Sequence, residues 1–385
     1  MLVSAWRAVR RGRAAAAVAV VLALSSGIAA CGSARNSPVG GAAKTPVVNP
    51  AINVTIGSPT LTFGAMYIAL EDGLFAKNHV NVNVVSNAAV ATQGALLVGG
   101  QADLSVTASS GGLALRLKGQ PFKIVSTITY YDQRSFAVVA DKGITSIQEL
   151  AAKGSNCSIG AAAPGTAGYG YLVTIQKAFG VDCKVSIYST TPAVEAGITS
   201  GGVQAVVTAP LVGAVLAQRG YNEILNPSTM SKSVARKVAP YSYPFAVIGG
   251  LASDLKAKKV AVERFIEALR QALALMQGLS AAQLGAITAR DTAAFAGTPV
   301  AQLTSTYELV KLQIPTGANA GSIASSDWNN EINGLITTRQ AGVTRSNRAL
   351  SYASSVDMSY FNATQAVPKC TAGQRPTTGK VCRLT

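Results

Sequence analysis

Gly100-Gln-Ala-Asp-Leu-Ser-Val-Thr-Ala108 and Gly201-Gly-Val-Gln-Ala-Val-Val-Thr-Ala209 align at a constant offset of 101 positions. Each stretch follows a helical pattern, Thr92–Val98 in one copy and Pro192–Ser200 in the other. Each then turns on glycine and runs into a short apolar strand that delivers Thr-Ala to a loop. Outward from both copies the same order of elements recurs. In the first half the strand-like runs Ile52–Gly57, Val80–Val85, Leu104–Thr107, Phe122–Ile128 and Ser135–Ala140 alternate with helical spacing over Ala65–Ala76, Thr92–Val98 and Gly112–Lys118. In the second, strands Cys157–Ala161, Cys183–Tyr188 and Gln204–Thr208 alternate with helices Ile147–Ala152, Thr166–Phe179, Pro192–Ser200 and Val212–Arg219. Short strands alternating with helices argue for βαβ units, hence an α/β fold of two similar lobes with mainly parallel sheets. A further echo, Phe136-Ala-Val-Val139 against Phe245-Ala-Val-Ile248, sets a returning strand Pro244–Gly249 before a mostly helical remainder.

The chain of 385 residues exceeds one ordinary domain, and 49% apolar with 13% charged residues supports a large core rather than general disorder. Arg7, Arg10, Arg11 and Arg13 precede the apolar run Ala14–Leu24 and the small residues before Cys31. That order is a secretory signal, and a run this short falls below the roughly 20 residues a membrane span needs. Ile28-Ala29-Ala30-Cys31 resembles the lipobox of bacterial lipoproteins, which would make Cys31 the lipidated first residue of the mature chain. Removing the arginines before it lowers the net charge from +16 to +12. Gly32–Pro50, rich in Gly, Ser, Ala and Pro, reads as a flexible tether.

The remaining Cys157, Cys183, Cys370 and Cys382 form an even set in an exported chain, where disulfides persist. Three pairings are possible. Cys157 and Cys183 stand at the starts of two strands flanking one helix, which favours that pair together with Cys370–Cys382 in the Pro/Gly/Thr-rich tail. No CxxC spacing suggests zinc, and no cofactor or metal is expected.

In open parallel sheets ligands bind beyond the carboxyl ends of the strands. Those ends carry Ser58, Thr60 and Thr62; Ser109 and Ser110; Tyr130 and Tyr131; Gly165, Thr166 and Ala167; and Thr208 with Pro210. Hydroxyls and helix starts suit an anionic or polar group, and tyrosines supply amphipathic walls. Each Ser or Thr is equally a candidate helix cap. The one histidine, His79, lies in a polar turn; no Gly-x-Ser-x-Gly, phosphate-binding loop or carboxylate cluster appears, so an enzyme is hard to assemble. Dispersed basic residues and export argue against nucleic acid.

Tyr67-Ile-Ala-Leu-Glu71-Asp-Gly73-Leu-Phe75 resembles the A-x-E-x-G-L-F segment of substrate-binding proteins of ABC importers in the nitrate/sulfonate/taurine/thiamine-precursor family. Ala95-Leu-Leu-Val-Gly-Gly-Gln-Ala-Asp103 is similar to its A-L-x-x-G-x-x-D segment, and Ile144–Leu150 followed by Gly165-Thr166 to its crossover into the second lobe. The likeness runs from about Ile52 to Gly342, with Gln204 standing where the second repeat often carries Asp. It implies a type II periplasmic-binding-protein fold with a two-segment hinge, and adds Tyr241 to the ligand-contacting residues. It divides the chain into a signal (1–30), a tether (31–50), a first lobe (51–141 and 245–345), a second lobe (142–244) and a tail (346–385). The implied function is an exported, monomeric, lipid-anchored receptor facing the periplasm or cell exterior. It would capture a sulfonate, nitrate, carboxylate or pyrimidine by hinge closure and pass it to a membrane permease with its ATPase. An enzyme resembling thiamine-precursor synthases, or a surface sensor or adhesin, are the alternative readings.

Overall fold

The computed structural model describes residues 49–57, 59–87, 90–132, 134–164, 166–226, 229–337, 343–344 and 346–364, with the backbone of two short strands at 374–376 and 382–384. The expected signal, Cys31, nearly all of the tether, Ser58, Gly165, Cys370 and the side chain of Cys382 lie outside these residues.

Ten strands build two five-stranded sheets. The first uses β1 (Ala51–Ile56), β2 (Asn81–Asn87), β3 (Leu104–Ala108), β4 (Phe122–Tyr131) and the late strand β10 (Tyr243–Leu251), in the order β2-β1-β3-β10-β4. The second uses β5 (Ala137–Ala140), β6 (Ser158–Ala162), β7 (Lys184–Tyr188), β8 (Ala205–Thr208) and β9 (Asn222–Leu225), in the order β7-β6-β8-β5-β9. In each sheet three strands pair in parallel, and a fourth runs antiparallel to both of its neighbours. The reversed strand is β10 in the first sheet and β5 in the second.

This arrangement explains both sequence echoes. β3 and β8, related by the 101-residue offset, are each the third strand of their sheet and each flank the reversed one. The Phe-Ala-Val pair marks the two reversed strands themselves. Sequence grouping assigns Ser135–Ala140 to the first half, whereas β5 pairs in the second sheet, Ala137 against Thr208 and Ala140 against Ala205. Every residue of β5 is buried, as in any central strand, so its pattern carries no mark of which sheet holds it. The chain therefore crosses between sheets twice, at 132–136 and at 226–242.

Helices close both faces of each sheet. On the first sheet, Ile52, Val54, Ile56 and Val106 belong to the core that includes Phe265, Leu269, Leu273 and Met276. Those four lie at helical spacing on one stripe of the 20-residue helix Lys259–Gly278. Fully burying each such side chain contributes about 1.5–3 kcal/mol. The opposite face packs Phe122, Ile124 and Val247 against Leu113, Trp328 and Leu335. On the second sheet, Val138, Ile159 and Val207 pack with Tyr171, Leu172 and Ile175, and Val139 and Val206 with Val194, Ile198 and Leu216.

Cys157 and Cys183, immediately before the parallel neighbours β6 and β7, form a disulfide with Cα atoms 4.6 Å apart. Closing a loop of this size stabilises a fold by about 3 kcal/mol in the chain-entropy account. The expected partner bond, Cys370–Cys382, falls outside the described side chains.

Candidate functional site

The two echoed strands end in matching ways. After β3, Ala108 begins the helix α1 (Ser109–Leu117) with extended backbone and no side-chain cap. After β8, Ala209 begins α2 (Pro210–Gln218), again without a side-chain cap. Proline at the first helical position fits because its missing N–H would be unsatisfied there in any case. Thr107 and Thr208, which precede these caps, are buried, and neither hydroxyl has a hydrogen-bond partner. Ser109 and Ser110 are buried in the first turn of α1. Ala108 packs against the core cluster that joins Tyr131, Tyr243 and Phe245 of the first sheet to the second sheet, and Leu211, in the first turn of α2, packs against the core cluster of the first sheet.

Other hydroxyls at the strand ends are committed to local structure. Thr60 caps the short turn Leu61–Phe63 and accepts from the Thr62 backbone N–H at 3.4 Å. Thr166 caps the helix α3 (Ala167–Phe179), accepting from the Tyr169 N–H at 3.3 Å and donating to the Ala163 carbonyl at 2.7 Å. Ala167 is buried beneath this cap. The bland reading of these threonines, as caps, is thus the observed one.

Tyr130 and Tyr131 are the last two residues of β4, at its carboxyl end. Tyr130 donates its hydroxyl to Asp327 at 3.0 Å, and burial with that carboxylate raises its pKa above the ordinary range. Tyr131 stacks on Tyr243 with centroids 4.6 Å apart and meets the edge of Phe245 at 5.7 Å. Phe136 extends this aromatic cluster to Tyr171, at 5.5 Å. Just beyond β4 the first crossing is pinned: Arg134 pairs with Asp132, and Gln313 donates to Asp132 at 2.9 Å and to Ser135 at 3.0 Å.

Beside the aromatic cluster lies a small, open cleft with room for little more than a water molecule. Tyr131 at the end of β4, Tyr243 at the start of β10, and Val238, Pro240 and Tyr241 just before it line this cleft. Gly170 and Thr174 of α3 face them, and Gly334 and Thr337 come from α4 (Ser325–Thr337). At Gly334 a Cβ would stand 3.3 Å from the Tyr243 ring, so a larger residue would crowd that wall.

One helical turn back from Gly334 sits Glu331, with 0% exposure. Neither carboxylate oxygen has a hydrogen-bond partner in proper geometry. Burial pushes its pKa up to about 8, with the neighbouring Ser109 hydroxyl pulling it only partly back. Its charge in turn adds to the raised pKa of Tyr243. Removing a carboxylate from water without a partner costs several kcal/mol in practice. Sequence reasoning placed a helix here but not this residue. The available signal is its spacing, since Trp328, Glu331 and Leu335 share one stripe of α4, an acid among apolar positions.

His79 is exposed in a turn at φ 55° before β2. Among the described residues no group of three or more His, Cys, Asp or Glu is placed to hold a metal, and no helix is long and apolar enough to cross a membrane.

The family model described as NMT1/THI5 like matches residues 60–280. No curated protein matches the chain. Among solved structures, the ligand-binding component of an ABC-type import system from Staphylococcus aureus is similar at a TM-score of 0.64 and 15% identity, over 82% of this chain and 99% of that one. The periplasmic nitrate-binding protein NrtA from Synechocystis PCC 6803 is similar at 0.62 and 12%, over 83% and 89%. The periplasmic aliphatic sulphonate binding protein SsuA from Escherichia coli follows at 0.55 and 14%, over 75% and 87%. At these identities the likeness establishes a periplasmic-binding-protein fold of two α/β sheets.

Proposed function

The chain belongs to the NMT1/THI5-like family, and from that premise we propose that it is the extracytoplasmic solute-binding component of an ABC importer. The observation that carries this reading is the reciprocal pair of helix starts after Thr107 and Thr208. One follows a strand of each sheet, at positions related by the 101-residue offset, and each lacks a side-chain cap. Unpaired N–H groups at a helix start favour negative or polar groups, and in this reading the two starts, one from each sheet, act as a clamp. The two crossings, one pinned by Asp132, Ser135 and Gln313, supply the hinge. A solute touching both halves favours the closed arrangement by its differential affinity, and the closed form docks on the permease. The sulfonate- and nitrate-binding relatives in fold support a small polar or anionic solute.

The finer assignments belong to the same proposal. They are a signal through residue 30, lipid on Cys31 holding a monomer to the membrane, and two lobes centred on the two sheets. In the proposed ligand-contacting set, Ser109, Ser110, Thr208 and Pro210 belong to the two helix starts and Tyr131 and Tyr241 line the cleft, while Thr60 and Thr62 follow β1, Tyr130 lies in β4, and Thr166 and Ala167 open α3. Ser58 and Gly165 complete that set from the sequence.

The test uses Thr107→Val and Thr208→Val. Replacing a buried, unpartnered hydroxyl by a methyl group removes a desolvation penalty. Each variant is therefore expected to match the unliganded wild type in stability or exceed it by up to about 1 kcal/mol. Each should also bind about 10-fold more weakly whichever sulfonate, nitrate, carboxylate or pyrimidine stabilises the native chain, the loss of one hydrogen bond. Unchanged affinity in both variants would place the solute elsewhere.

A further inference from the structure

Leu216 of α2 lies in the second sheet's core with Val139 and Val206, yet the same helix also reaches the first half of the molecule. In its first turn Leu211 packs against the first sheet's core cluster. α2 is also in contact with α5 (Val300–Val310), whose Leu303, Tyr307 and Val310 belong to that cluster. At the last residue of α2, Gln218 accepts from the Gln302 side-chain amide of α5 at 2.6 Å. Gln302 is only 6% exposed. Glutamine is seldom buried, and its amide needs a partner once water is removed. That partner comes from the other half. From Leu211 to Gln218 the contact covers about 10 Å of α2.

α5 is tied to the first crossing as well. Just beyond its end, Gln313 donates to Asp132 and Ser135. Gln302 stands about 12 Å along the helix axis from Val310, the end nearer those bonds. A swing about the crossings therefore separates Gln302 from Gln218 while leaving the Gln313 bonds in place.

We propose that the α2–α5 contact is a latch between the two halves, formed by the chain's own groups with or without solute, and that solute enters when it releases. This rests on the solute-binding reading and adds a control to it. A contact made in both the filled and the empty closed forms stabilises them equally. It sets the resting share of closed chain and the rate of entry, whereas the solute's own pull toward closure comes from its differential affinity. The amide pair exchanges for water at small net cost, which keeps the latch reversible.

The experiment places spin labels at Ala217→Cys and Ala301→Cys, exposed neighbours of the two glutamines, in the mature chain carrying Cys31→Ser. Electron paramagnetic resonance then reads their separation without solute. The unaltered latch should give a mainly short-distance population. Gln218→Lys with Gln302→Lys sets like charges together and should lower the closed-to-open ratio by about 10-fold or more. Gln218→Glu with Gln302→Lys restores attraction and should return the short distance, which separates release of the latch from damage to the fold. A mainly long distance with both glutamines present, or a distribution that the paired lysines leave unchanged, overturns the latch. Failure of sulfonates, nitrate, carboxylates and pyrimidines to stabilise the chain would overturn the solute-binding reading instead, since the distances are read without solute.

Discussion

Glu331→Gln is expected to become progressively more stable than the wild type as pH rises from 5 to 9, the gap growing by on the order of 3–5 kcal/mol. The folded carboxyl titrates near 8, against an ordinary 4.5 in the unfolded chain. Between those values the folded state holds a proton that the unfolded state has released, so stability falls as pH rises through the window and levels off above about 8. The groups facing the carboxyl do not reverse this sign. Ser109 comes from α1, and Tyr243 from β10 with Tyr131 of β4 stacked behind it. Burial raises both tyrosine pKa values well above the ordinary range, so these hydroxyls stay protonated throughout. Denaturant melts of both proteins from pH 5 to 9 provide the measurement. Parallel curves would show that Glu331 titrates as a solvated acid and would remove the buried carboxyl from the account.

The second large effect is expected at Trp328. Its side chain is fully buried against the sheet face carrying Phe122, Ile124 and Val247, and its indole N–H donates to the Leu350 carbonyl at 2.9 Å. Trp328→Ala should cost about 3–5 kcal/mol through the cavity it leaves, together with an unpaired buried carbonyl. Trp328→Phe retains most of the packing and should cost much less, with the hydrogen bond worth about 1 kcal/mol. The residue lies beyond the stretch 60–280 matched by the family model. A large loss would therefore show that the C-terminal helix is built into the first sheet's core and fixes Glu331 in place. A chemical melt of Trp328→Ala within about 1 kcal/mol of wild type would instead make α4 an appendage.

The sequence was most readable where a pattern recurred. The 101-residue echo located the third strand of each sheet, and the Phe-Ala-Val echo located the two reversed strands. Which sheet receives β5 was not readable, because a short strand buried on both faces looks alike in either. The short, partly polar strand Asn222–Leu225 and the helix Lys232–Val238 carry too little periodicity to stand out. The hydroxyls divide in a way local sequence does not encode. Thr60 and Thr166 spend their side chains on caps, whereas Thr107 and Thr208 end strands with none to cap. Glu331 is similar, for its helix follows from spacing but the depth of its burial follows only from what packs around it.

A claim about function must finally be met by a ligand. Thermal unfolding of the mature chain, run against graded concentrations of sulfonates, aminosulfonates, nitrate, carboxylates and pyrimidines, tests it most directly. A solute that binds only the native state stabilises it by about 2.7 kcal/mol at one hundred times its dissociation constant. The account predicts a saturable rise in the unfolding midpoint with one class of these compounds, diminished in Thr107→Val and Thr208→Val. A midpoint that stays fixed for every compound at millimolar concentration would contradict it.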